Sequence, residues 1–170
     1  HSLVCGRDRF RKGKVLDEKD TRQLIQFGYD EVVIARLEDN DTEENLAAAK
    51  VAENIHFLAE PENFKKSIAF TGRVNIFART TGIIVFDEEN LIKANSIDNM
   101  ITIATIPNYS QVTKGSIVAT IKIISYGVIA SNLEKVASLA AGTIRLKRPK
   151  YLSAHLITTK ISRDTSDKSL

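Results

Sequence analysis

The chain is predicted to be an α+β protein, with mixed or antiparallel sheets and short helices. Three observations predict this class. Helical and strand patterns occur in similar amounts but in mixed order, and strict β-α-β alternation fails between residues 67 and 126. Ile, Val, Leu and Ala supply most of the apolar material, while aromatics are only 6% and Trp is absent, which suits β-branched strands packed by small helices. Finally, 170 residues that are 43% hydrophobic and 26% charged can bury one real core.

The elements follow in order. Residues 13–16 read as a short strand or turn. Asp17 is a good N-cap, with Glu18 and Asp20 in the first turn, where the helix dipole favours negative charge. Leu24, Ile25 and Phe27 give that helix an apolar side, and Gly28 stops it. The run from Glu31 to Leu37 reads as a buried strand. After a turn at Glu38-Asp39-Asn40, Asp41 and Glu44 have the spacing of a capping box. Ala48, Val51, Ile55 and Leu58 then recur at helical spacing, so a helix is expected from about residue 42 to residue 57.

Strands are expected over residues 67–70, 74–79 and 82–86, with a tight Thr71-Gly72-Arg73 between the first two. Asp87 caps a helix over 88–94. Residues 100–106 alternate as a strand, Pro107-Asn108-Tyr109 is a loop, and Lys114-Gly115 turns into a long strand over 116–126. Ser131 caps a helix through Ala140, and Gly142 ends it. The last strands are expected over 143–147 and 154–159.

The net charge of +3 conceals an uneven distribution. Residues 31–60 carry two Lys/Arg and eight Asp/Glu, whereas residues 131–170 carry eight and three. A basic tail can read nucleic acid, but Arg145 and Lys147 alternate with Ile144 and Leu146, and no aromatic interleaves with them. The solvated face of a strand explains them better, so nucleic acid is not the expected partner. No apolar run approaches the roughly 20 residues of a membrane helix. A single cysteine, Cys5, excludes an internal disulfide and agrees with a reducing cytoplasm.

Catalytic motifs are sparse. His1, His56 and His155 share no metal-like spacing with one another or with Cys5. Walker, Rossmann and Gly-x-Ser-x-Gly patterns do not occur. The acidic run Glu38, Asp39, Asp41, Glu43, Glu44 offers ligands to a divalent cation, but a capped helix N-terminus explains the clustering without a metal. Thr71-Gly72-Arg73-Val74-Asn75 is the most pointed polar cluster. Gly72 permits a close backbone approach, Arg73 is a fork donor for phosphate or carboxylate, and Asn75 can fix an amide or pterin edge. A β-turn with a locally paired Arg accounts for the cluster equally well. Arg11 and Lys12, beside Gly13, could hold an anion, or could be charges that discourage pairing at a strand edge.

Several ordered blocks resemble a family. Arg11-Lys12-Gly13-Lys14-Val15-Leu16, then Ala35-Arg36-Leu37-Glu38, then Asp41-Thr42-Glu43-Glu44-Asn45-Leu46-Ala47-Ala48 are similar to blocks of the MoeA-like molybdopterin-binding proteins. So are Thr71-Gly72-Arg73-Val74-Asn75-Ile76-Phe77-Ala78, Ile101-Thr102-Ile103-Ala104-Thr105 and Val118-Ala119-Thr120-Ile121-Lys122-Ile123-Ile124. Ser125 stands where that pattern has a proline. The resemblance implies molybdenum cofactor biosynthesis in the cytoplasm. The full-length protein would bind molybdopterin and assist molybdate insertion or nucleotide attachment, using Mg²⁺ and a nucleotide held elsewhere. It implies that residues 1–150 form an accessory domain and residues 151–170 begin a molybdopterin-binding domain, with 154–159 as its first strand. The chain begins at His1 and stops in mid-pattern, as an excised piece with little activity alone would. The ligand contacts it implies are Arg73, Asn75 and Gly72, then Arg11 and Lys12. The alternative is a non-catalytic interaction or dimerisation module, in which the acidic and basic segments associate.

Overall fold

The computed structural model describes residues 2–11, 13–58, 61–151 and 153–159, with backbone alone for 56–58. Four helices and eleven strands form among them. In chain order they are β1 (Leu3–Cys5), β2 (Asp8–Phe10), α1 (Glu18–Gln26), β3 (Asp41–Glu43), α2 (Glu44–Leu58), β4 (Phe64–Lys66), β5 (Arg73–Ala78), β6 (Gly82–Phe86), α3 (Glu88–Asn95), β7 (Ile101–Thr105), β8 (Gln111–Val112), β9 (Ile117–Ile123), β10 (Gly127–Ile129), α4 (Ala130–Ala140) and β11 (Ile144–Lys147). Every strand pair is antiparallel. The α+β class is therefore correct.

The main sheet has the order β4-β5-β9-β7. Along its strands, side chains alternate between two faces. Val74, Ile76, Ala78, Ala119, Ile121, Ile123, Ile101 and Ile103 are buried on the inner face. Helix α2 covers them, and its Ala47, Ala48 and Ala52 let it approach the sheet closely beside Val51 and Ile55. Helix α4 adds Leu133, Val136 and Ala140, and α3 adds Leu91 and Ala94, to the same core. A smaller sheet, β11-β6-β8, closes that core with Ile144, Leu146, Ile84, Phe86 and Val112. The edge strand β7 is protected, because the Asn95 side chain both donates to Ile103 O and accepts from Ile103 N.

A second, small core holds the N-terminal elements. Cys5, Phe10 and Leu24 are buried there, with Leu3, Leu16, Tyr29 and Val32 packed against them. Helix α1 begins as the sequence predicts. Asp17 accepts from Asp20 N at 2.8 Å while Asp20 accepts from Asp17 N at 3.3 Å, a reciprocal cap. Gly28, at φ +80°, lies beyond its end. Leu24 alone of the expected apolar side is buried, whereas Ile25 and Phe27 are exposed. The β1–β2 hairpin is an addition that the sequence reading did not contain.

Several expected elements differ. Residues 31–37 form no strand and no backbone hydrogen bond with another described residue, and Val33 is 95% exposed. The run is apolar at consecutive positions, which suits a strand covered on both faces. No ladder neighbour reaches it. Asp41 does not cap α2. It lies in β3, paired with β10, and Glu43 caps instead, accepting from Asn45 N and Leu46 N at 2.9 and 3.0 Å. Ser131 does not cap α4 either, since that helix starts at Ala130 without a side-chain cap. The long strand expected over 116–126 breaks after Ile123 and resumes as β10, with Ser125 Oγ bonded to Gly127 O between them. Residues 67–70 make one isolated bridge, Phe70 to Arg73, while the true strand β4 precedes them. Residues 154–159 form no strand, and Leu156 and Ile157 are exposed without a ladder partner.

Candidate functional site: a cationic cleft on the outer face of the main sheet

The outer face of the main sheet begins with a hairpin turn. Phe70 and Arg73 exchange both backbone hydrogen bonds at 3.1 Å, leaving Thr71 and Gly72 as a two-residue loop. Both loop residues have positive φ, +48° and +66°. This is the twist that two-residue hairpins favour. Gly72 adopts it freely, but Thr71 is β-branched and strained there. The surroundings hold it in place. Lys122 Nζ donates to Thr71 O at 2.5 Å, Gly72 N donates to Asn45 Oδ1 at 3.0 Å, and Gly72 O accepts from Ile123 N at 2.7 Å.

The ladder behind the turn is irregular. Ser67 lies opposite Asn75, since Ser67 N donates to Asn75 O at 2.9 Å. Phe70 lies opposite Arg73. Ile68 and Ala69 therefore share the single position opposite Val74, as in a β-bulge. Asn75 N donates to Ser67 Oγ at 3.0 Å, and Asn75 Oδ1 accepts from Thr120 Oγ1 at 2.9 Å. The bulge opens a cleft of about 390 Å³ lined by Ser67, Ile68, Phe70, Thr71, Arg73, Asn75 and Lys122.

Arg73 and Lys122 are direct cross-strand partners, so they point to the same outer face. Neither forms a salt bridge with a described residue. Like charges placed directly opposite each other are destabilising. Lys122 uses one of its three donors on Thr71 O, and the Arg73 fork is exposed. The lining holds two cations, two hydroxyls and an amide beside the exposed Phe70 ring. It contains no carboxylate, imidazole or thiol. This chemistry suits an anion attached to a flat group. It does not fit Mg²⁺, which takes oxygen ligands that are largely carboxylates and water.

Behind the turn, three segments far apart in sequence meet at Glu44. This residue is 2% exposed, and its Oε1 has no hydrogen-bond partner among the described residues. A Cβ on Gly13 would stand 3.2 Å from Glu44 Oε1, and one on Gly72 would stand 3.3 Å from Glu44 Oε2. The carboxylate thus lies between two glycine turns at the N-terminus of α2, where the helix dipole favours it.

Of the residues expected to bind ligand, Arg73 and Asn75 line the cleft, and Gly72 shapes its turn from a buried position. Arg11 is exposed and does not line the cleft. Its carbonyl accepts from Lys14 N at 3.1 Å in the turn that covers Glu44. Lys12 lies outside the described residues. Lys122 was missed as a site residue, although a lysine inside an apolar strand was a visible signal. Its apposition to Arg73 depends on register, which no local pattern specifies. Asn45 and Ser67 gave no signal as braces.

The acidic run is used locally. Asp41 Oδ2 accepts from Glu38 N at 3.0 Å, and the Glu43 carboxylate accepts from Asn45 and Leu46. Among the described residues, no three His, Cys, Asp or Glu side chains come together as a metal site would require. At the basic end, Arg145 and Lys147 are exposed on β11 with Ile144 and Leu146 buried, as the alternation predicts. Arg148 Nε donates to the buried Asn63 Oδ1 at 3.0 Å. No described helix is long and apolar enough to cross a membrane. No protein-family model, curated protein or solved structure matches the chain.

Proposed function

We propose that this chain is a phosphopterin-binding part of a molybdenum cofactor biosynthesis protein of the MoeA-like type, acting in the cytoplasm. Its cleft takes the phosphate of molybdopterin on Arg73 and Lys122, while Asn75 and the Phe70 ring meet the flat ring system. One observation carries this reading. The blocks that resemble the family, at 11–16, 41–48 and 71–78, converge on Glu44 and brace a turn that presents two unneutralised cations. In a partly desolvated cleft, charge-assisted bonds to phosphate are about twice as strong as neutral ones. The full-length protein uses this binding in molybdate insertion or nucleotide attachment.

Equilibrium titration with molybdopterin and with an unphosphorylated pterin tests the reading. Tighter binding of the phosphorylated ligand, lost in Arg73→Gln, is expected. Equal binding of the two, or none of either, defeats it. A second reading, a self-associating interaction module, draws support from the exposed and unpaired apolar run at residues 31–37.

A further inference from the structure

We infer that residues 30–36 form an intermolecular β-ladder with the same segment of a second copy, antiparallel and centred on Val33. The inference rests on the self-association reading and names its surface and register. The segment combines three properties. It is rich in β-branched residues, as strands are. Its backbone donors and acceptors from 30 to 37 make no hydrogen bond with another described residue. Val33 and Ile34 are 95% and 66% exposed, although they are among its most apolar residues. An exposed apolar strand with free backbone groups is a template for pairing.

Symmetry restricts the register. A twofold axis through an antiparallel pair keeps each face of the ladder on its own side, so it joins only residues that face the same way. The allowed centres therefore lie on a residue. Centring on Val33 places Asp30 opposite Arg36, Val32 opposite Ile34 and Val33 opposite itself, each of the first two twice. Asp30 and Arg36 are exposed and make no ion pair with a described residue. One face of the ladder is then complementary in charge at both ends and apolar between them. Centring on Ile34 would instead set Asp30 against Glu38, a like-charge pair, and Val32 against Arg36. Charge complementarity thus favours a second copy as the occupant, and Val33 over Ile34 as the centre. A seven-residue ladder is a small interface, so a weak, concentration-dependent dimer is expected.

Sedimentation velocity at low salt, across a concentration series of the whole chain, provides the test. Asp30→Arg or Arg36→Asp alone sets like charges opposite each other twice in the dimer, and each is expected to weaken association about tenfold or more. The double exchange Asp30→Arg/Arg36→Asp restores the pairs and should return association to within about threefold of the parent. Amides of residues 31–35 should gain protection from hydrogen exchange as concentration rises. All the substituted positions are exposed, and circular dichroism confirms that each variant folds. A dimer that ignores the charge exchange and leaves these amides unprotected overturns the ladder while leaving self-association intact. A chain that stays monomeric at about 100 μM overturns both.

Discussion

Replacing Arg73 by Glu should make the protein more stable and less able to bind. Arg73 and Lys122 face each other across β5 and β9, and no described acid pairs with either. A cross-strand charge pair contributes roughly 0.2–1 kcal/mol when opposite in sign, and costs a similar amount when alike. Reversing one charge should therefore add about 0.5–1.5 kcal/mol. In a domain of this size, 1 kcal/mol moves the melting temperature by roughly 2–4 °C. Arg73→Gln should fall between the parent and Arg73→Glu. Thermal unfolding followed by circular dichroism at low ionic strength measures the gain. At about 1 M salt the screening length falls to roughly 3 Å, and most of the gain should vanish. The same substitution removes a charge-assisted bond worth about 1.5–3 kcal/mol, so affinity for a phosphorylated ligand should fall at least about tenfold. An Arg73→Glu protein no more stable than the parent at low salt would refute the claim that this pair is uncompensated.

Three further outcomes follow from the same geometry. Gly72→Ala places a Cβ 2.7 Å from Ile123 O at φ +66°, and should destabilise the chain by about 2–4 kcal/mol in denaturant titration. Asn45→Ala leaves the buried Gly72 N–H without its acceptor and should cost about 1–3 kcal/mol, with a larger loss of ligand affinity than of fold, since α2 remains packed. The Lys14 hydrogen bond, followed by the Asp17 backbone amide, holds the Asp20 carboxyl below the usual carboxylate value. A folded-state value below the unfolded one means that its stabilisation is present above the ordinary carboxylate range and is lost as pH falls through the depressed value. The stability difference between parent and Asp20→Asn should therefore be constant near neutral pH and disappear in acid, as acid titrations of both proteins would record.

Local signals were legible where chemistry is local. Asp17 with Asp20, Asp87 before α3, and the positive-φ glycines at 28 and 142 announced helix ends. Alternation located β7 and β11 closely, and the expected strands at 74–79 and 82–86 match β5 and β6. Non-local pairing was not legible. Residues 31–37 have a strand's composition, but a strand also needs a neighbour, and composition does not supply one. Asp41 matched a capping spacing, yet pairing with β10 carried it into β3. The site shows the same division. The Thr71–Asn75 cluster was visible because glycine, arginine and asparagine adjoin in sequence. Its partners Lys122, Asn45 and Glu44 come from β9 and α2, so only the assembled register places them beside it.

The most direct test of the anion cleft is an amide NMR titration of the whole chain with a phosphorylated pterin. The account predicts saturable shifts confined to residues 67–75, Lys122 and their immediate neighbours, absent in Arg73→Glu. Shifts centred elsewhere, or none at ligand concentrations that saturate a micromolar site, would contradict it.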